Sequence, residues 1–147
     1  MTDQGAVRDT YVAALQHDLF EVRPGETLIG AVRRPTRWFS GAVDENLPAL
    51  GPPADLLDET KSAEEDLKMQ GLCAEGAHNA AWDRTEFESR YRTHLQESDA
   101  AREAVDSLVR RLADGEFIVL VCYENTAKKR CHRTILREEL SSRLDAV

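Results

Sequence analysis

The feature that most constrains the fold is an unbroken apolar run, Phe117-Ile118-Val119-Leu120-Val121, set between a helix-ending glycine at Gly115 and a short polar loop. A strand that shows one face to water alternates apolar and polar residues. This run does not alternate, so both of its faces are covered, which implies a parallel sheet lying under helices. The run ends in Cys122-Tyr123-Glu124, and after the loop Cys131-His132-Arg133 opens a segment in which His132, Leu136, Leu140 and Leu144 share one helical face. The expected order is strand, loop, helix.

The residues before this unit follow the same logic. Ala101, Val105, Leu108, Val109 and Leu112 recur at helical spacing, which predicts a helix over about residues 98–114 that Gly115 ends in a left-handed turn. A further helix is expected from Asp83, with Asp83 as N-cap, Glu86 three residues on as in a capping box, and Phe87, Tyr91 and Leu95 on one face. Val22-Arg23-Pro24-Gly25 is a turn signal, after which residues 26–32 read as a second buried strand. Residues 9–19 are ambiguous: Tyr11, Leu15 and Leu19 fit a helical face, Thr10-Tyr11-Val12 favours a strand, and a first strand followed by a loop is the reading taken. Residues 41–53 carry three prolines and two glycines and are expected to form an irregular surface loop. The acidic residues 55–69 suggest an exposed helix or an insertion, and residues 71–80, with Cys73 and His78, a loop. The expected class is therefore α/β: a single compact domain over residues 1–147, with a mostly parallel central sheet flanked by helices and an irregular or partly helical insertion at about 41–80.

Size and charge narrow the function. A chain of 147 residues suits one domain with a real core. Its 19 basic and 27 acidic residues give a net charge of -8, which repels nucleic acid and anionic membrane at long range, so an anion site has to be local. No apolar stretch is long enough to span a membrane, and the N-terminus lacks the basic start and apolar core of a secretion signal, so a cytoplasmic protein without a membrane partner is expected. Three cysteines in such a setting are thiols or metal ligands rather than a disulfide framework. Oligomeric state is left open.

In open α/β sheets ligands bind beyond the carboxyl ends of the strands. That rule places the segment after the second strand beside the loop that follows the apolar run. It would gather Arg33, Arg34, Arg37, Lys128, Lys129, Arg130 and Arg133 into a local anion site, although each of these charges taken singly also reads as a solvated partner of the abundant carboxylates. Trp38 beside them is either a core anchor or a ring on which a base stacks. Cys131 at a helix start is placed to hold a thiolate and act as a nucleophile; the competing reading is a structural thiol. His132 faces the sheet, as a hydrogen-bonded structural residue or as a catalytic one. Glu124, a carboxylate at the end of a buried strand, calls for a partner such as Arg133 or His132, or a role as general acid or base. Cys122 reads as packing. Cys73, His78, Cys122, Cys131 and His132 are all metal-ligand types, but they lack C-x-x-C spacing, and Cys131 and His132 as neighbours would diverge on a helix. Neither a metal nor a cofactor is expected.

Together these residues resemble a known family. Cys122-Tyr123-Glu124 followed by Cys131-His132-Arg133 is similar to the Cys-x-Glu and Cys-His-Arg signature of the DUF488 family. Val32-Arg33-Arg34-Pro35-Thr36 is similar to its D-V-R-x-x-P segment, and Phe87-x-x-x-Tyr91 to its F-x-x-x-Y segment. The resemblance spans about residues 10–144. It departs from the family at Ala31, where Asp is usual, in a proline displaced by about one position, and in residues 55–80, which have no counterpart. The resemblance implies a compact α/β domain with a pocket formed by Arg33, Glu124, Cys131, His132 and Arg133, in a family of uncharacterised proteins suspected of acting on nucleotides or nucleic acids.

The expected function is therefore a polar pocket for an anionic ligand, a nucleotide or nucleic-acid end. Glu124, Cys131 and His132 are the candidates for acid–base or thiol chemistry, and Arg33, Arg34, Arg37, Trp38 and Arg133 the candidates for binding. The alternative is a non-catalytic module in which Cys-His-Arg only stabilises the fold.

Overall fold

A computed structural model of the protein describes residues 4–124 and 129–146. The apolar run forms the central strand of one parallel sheet. The strands are β1 (Val7–Tyr11), β2 (Glu26–Gly30), β3 (Glu45–Asn46) and β4 (Phe117–Cys122), in the spatial order β1-β4-β2-β3. The helices are α1 (Val12–Gln16), α2 (Arg37–Ala42), α3 (Ala54–Met69), α4 (Ala74–Arg84), α5 (Phe87–Glu97), α6 (Asp99–Ala113) and α7 (His132–Asp145).

Both faces of β4 are covered, which is why its sequence does not alternate in polarity. Ile118, Leu120 and Cys122 pack with residues of α5, α6 and α7, among them Leu95, Leu108, Leu112, Leu136 and Leu140. Val119 and Val121 pack on the opposite face with Val12 of α1 and Phe39 of α2. Burying each such side chain stabilises the fold by about 1.5–3 kcal/mol. The helix predicted over 98–114 is α6; the Ser98 hydroxyl caps it by accepting from the Ala101 N–H at 3.3 Å, and Gly115 at φ +100° ends it. His132, Leu136, Leu140 and Leu144 are all buried along α7.

Several local expectations are corrected. Residues 71–80 are not a loop, because most of them belong to α4. There Ala77 and Ala81 lie against Ala63 and Leu67 of α3, and the small side chains let the two helices approach closely. Asp83 is no N-cap; it sits in the last turn of α4, and the chain turns at Glu86, φ 52°, before α5 starts. Tyr11 passes straight into the short α1. The expected loop over 41–53 begins as the end of α2 and contains β3, and the strand predicted over 26–32 ends at Gly30.

Candidate functional site

Adjacent parallel strands open a crevice at their carboxyl ends when the chain leaves them toward opposite faces. β1 and β2 lead into α1 and α2 on one face, whereas β4 leads into α7 on the other. A crevice therefore lies on each side of the end of β4.

Arg133 fills the one toward β1. Its side chain is 1 % exposed, and its guanidinium donates to the Asp9 carboxylate at 2.8 Å, to the Thr10 carbonyl at 2.6 Å and to the Glu124 backbone carbonyl at 3.0 Å. Arg137 reaches the second Asp9 oxygen at 2.5 Å. One guanidinium thus joins β1, the end of β4 and α7.

The crevice toward β2 opens into a cleft of about 530 Å³. Cys122, Cys131 and His132, all buried, line its floor. Cys131 is the residue before α7 and is extended, φ −143° and ψ 144°, so its side chain is free of helical geometry. For that reason Cys131 and His132 do not diverge as expected: Cys131 Sγ lies 3.6 Å from His132 Nδ1, and Cys122 Sγ 3.5 Å from His132 Nε2. Nε2 donates to the Ala31 carbonyl at 2.5 Å, which fixes the ring, and Tyr91 meets that ring edge-on with centroids 5.3 Å apart. The Tyr91 hydroxyl in turn donates to the Leu50 carbonyl.

The three groups shift one another. The Cys122 S–H donates to Cys131 and, with the positive charges of His132 and Arg133, holds the Cys131 thiol well below its ordinary range against the opposing effect of burial. Burial and the neighbouring Cys131 push the Cys122 thiol well up. Burial opposes protonation of His132, but the Cys131 charge and hydrogen bond and the Ala31 carbonyl outweigh it and raise its pKa. The arrangement favours a Cys131 thiolate beside an imidazolium.

The cleft walls carry Arg33, Arg34, Lys61 and Arg130 against the carboxylates Asp58, Glu64 and Glu124. Arg33 is half-buried and donates to the carbonyls of Pro52 at 2.7 Å and Gly51 at 3.2 Å. Gly51 is needed there, since a Cβ would come within 2.3 Å of the Arg33 backbone nitrogen. Arg34 pairs with Asp58 at 3.0 Å and Arg130 pairs with Asp83, all four of them exposed. The Glu124 carboxylate, half-buried, lies 3.9 Å from Lys129, and Arg133 reaches Glu124 at its backbone carbonyl. α4 fixes this rim: His78 Nε2 donates to the Arg130 carbonyl at 2.8 Å, and Asn79 accepts from the Arg130 N–H at 3.0 Å.

Among the residues singled out from sequence, then, the structure brings Arg33, Arg34, Glu124, Cys131 and His132 to one cleft. It places Arg133 in the closed crevice. Arg37 and Trp38 lie exposed on α2 and do not line the cleft. Lys128 lies outside the described residues. Sequence reasoning missed Asp9, whose partner is 124 positions away, and the walls supplied by Lys61 and Glu64, and it considered His78 only as a metal-ligand type. It also favoured packing for Cys122 over reactivity, although the alternation Ile118, Leu120, Cys122 already put its thiol on the α7 face.

Residues 22–144, from the turn before β2 into α7, match the family model described as the active DUF488-N3 subclade. The chain belongs to the DUF488 family. Both arms of the DUF488 signature, Cys122 to Glu124 and Cys131 to Arg133, fall within the match, whereas Asp9 precedes it. At Ala31, where DUF488 proteins usually carry Asp, this member offers a backbone carbonyl to His132. No curated protein and no solved structure matches the chain. Among the described residues no helix is long and apolar enough to cross a membrane.

Proposed function

We propose that the cleft between the ends of β2 and β4 binds an anionic ligand, the phosphate of a nucleotide or of a nucleic-acid end, and presents it to Cys131, His132 and Glu124 for thiol or acid–base chemistry. The observation that carries this reading is the cleft itself. Four cationic side chains against three carboxylates line it in a chain of net charge -8, and a thiol–imidazole cluster forms its floor. Its volume suits a ligand of mononucleotide size. The ion pairs on its rim are exposed and weak, so Arg34 and Arg130 can exchange a carboxylate for a phosphate at little cost.

The burial of Arg133 favours a second reading for that residue alone: it stabilises the fold, while Cys131 and His132 of the same motif face the cleft.

Isothermal titration of the protein with inorganic phosphate and with adenosine monophosphate tests the proposal. Saturable binding that the double variant Arg34→Ala/Arg130→Ala weakens by roughly tenfold is expected, equal to about 1.4 kcal/mol. Absence of binding, or equal binding by the variant, removes the anion reading.

A further inference from the structure

We infer that Cys122, Cys131 and His132 form a binding site for a thiophilic divalent cation of the zinc class, open on one side to the cleft. This goes beyond the anion reading and stands without it. The Sγ atoms of the two cysteines and a ring nitrogen of the histidine all lie within 4.8 Å of one another, and all three residues are buried.

The separation of Cys131 from His132 matches that between two ligands of one metal ion. Zinc holds thiolate sulfur at about 2.3 Å and imidazole nitrogen at about 2.0–2.1 Å, which in a tetrahedron places sulfur roughly 3.6 Å from nitrogen. Cys131 Sγ and His132 Nδ1 are 3.6 Å apart. A metal-bound histidine typically donates its other ring N–H to a carbonyl or carboxylate, which orients the ring and leaves the ligating nitrogen its lone pair. His132 Nε2 makes that bond to the Ala31 carbonyl, so Nδ1 beside Cys131 is the nitrogen left to ligate. Cys122 Sγ lies on the Nε2 side of the ring, at 3.5 Å, so its side chain has to turn toward Nδ1 to complete the set.

Charge is compatible with the same assignment. Two thiolates and a neutral imidazole around a divalent cation carry no net charge, which meets the requirement of a buried floor. Soft sulfur donors with one imidazole select zinc over magnesium or calcium. Two cysteines and one histidine are also the protein ligands of a zinc site that keeps a position open for water or substrate. Here that position faces the cleft, next to the place proposed for the anion. With zinc bound, Cys131 is a ligand rather than a nucleophile, and the chemistry of the cleft is acid–base chemistry on a polarised water or ligand oxygen.

The full chain, freed of metal with a chelator under reducing conditions, is titrated with Co²⁺ and followed by absorption. One Co²⁺ per chain is expected, with a sulfur-to-cobalt charge-transfer band and the visible bands of a tetrahedral site, both displaced by Zn²⁺. Cys122→Ser and His132→Ala remove proposed ligands and are expected to weaken binding by more than the roughly 100-fold seen when only the partners that orient a ligand are disturbed, while Cys73→Ser, at an exposed thiol, changes nothing. A folded protein that gives no charge-transfer band, or a band removed by Cys73→Ser and kept by Cys122→Ser, overturns the assignment. Should the Cys122 variant fail to fold, the wild-type protein still decides: stoichiometric Zn²⁺ is expected to protect Cys131 from iodoacetamide and leave Cys73 reactive, and equal alkylation of Cys131 with and without Zn²⁺ refutes the site. No phosphate or nucleotide enters either assay, so its failure is separate from that of the anion reading.

Discussion

The two crevices beside the end of β4 are built from one stretch of chain and end up with opposite properties. Toward β1, Arg133 is 1 % exposed and spends its donors on Asp9, Thr10 and Glu124. Toward β2, Cys131 and His132, its immediate neighbours in sequence, border a cleft of about 530 Å³. The difference comes from helical direction. Cys131 is still extended and His132 opens α7 on the side of Ala31, while the next residue turns toward β1. A contiguous motif therefore divides its labour: its arginine closes the sheet to the helix, and its thiol and imidazole face a ligand-sized space.

The largest effect expected from breaking this contrast is on the closed side. Arg133→Ala leaves the Asp9 carboxylate without its buried partner and strips a donor from two carbonyls, and should cost about 3–5 kcal/mol of stability. Urea denaturation measures it, and a loss below about 1 kcal/mol would mean that the crevice is not sealed by this residue. Arg33→Ala comes next. It deprives the Gly51 and Pro52 carbonyls of a donor and should cost about 1–3 kcal/mol, which makes Arg34 and Arg130 the better positions for testing anion binding. A small loss at Arg33 would free it for the ligand and sharpen the contrast with Arg133.

The smallest effect lies at the other end of the strands, far from both crevices. Glu26 bonds Arg8 at 2.6 Å, and that bond holds its carboxyl below the ordinary value of 4.5. A depressed carboxylate pKa stabilises fully above the unfolded value and is lost as pH falls through the folded one. Glu26→Gln should therefore cost about 1 kcal/mol at neutral pH, and the gap from wild type should close as the pH drops below about 4. A gap that persists in acid would trace the effect to packing rather than charge. This pair is the control for the crevices: it contributes to stability and should leave phosphate binding unchanged.

Much of this was legible in the chain. An unalternating run at 117–121 demands cover on both faces, and α6 and α7 followed from apolar residues at helical spacing. α4 was not legible, because its buried face is made of Ala77 and Ala81, which carry too little apolar surface to mark a period yet are what let α3 and α4 come close. At the site, Glu124, Cys131 and His132 stood out because reactive side chains at the end of a buried strand and the start of a helix converge on the carboxyl edge of the sheet. Asp9 did not, since nothing local in residues 7–11 announces a partner 124 positions on. The approach of Cys131 to His132 was hidden for a related reason: it depends on where α7 starts, and a shift of one residue in that boundary separates them.

Alkylation asks whether the Cys131 thiolate lies at the floor of an anion-accepting cleft. Metal-free protein is treated with iodoacetamide across a range of pH, with and without saturating phosphate, and modification of Cys131 is followed by mass spectrometry with exposed Cys73 as the internal reference. The lowered pKa of Cys131 means that its reactive thiolate is already present at pH values where an ordinary thiol is protonated. Its reactivity midpoint should therefore fall below about 8.5, the value of a free thiol, and phosphate should slow Cys131 alone. A Cys131 midpoint at or above about 8.5, with a rate that phosphate does not change, would contradict this placement.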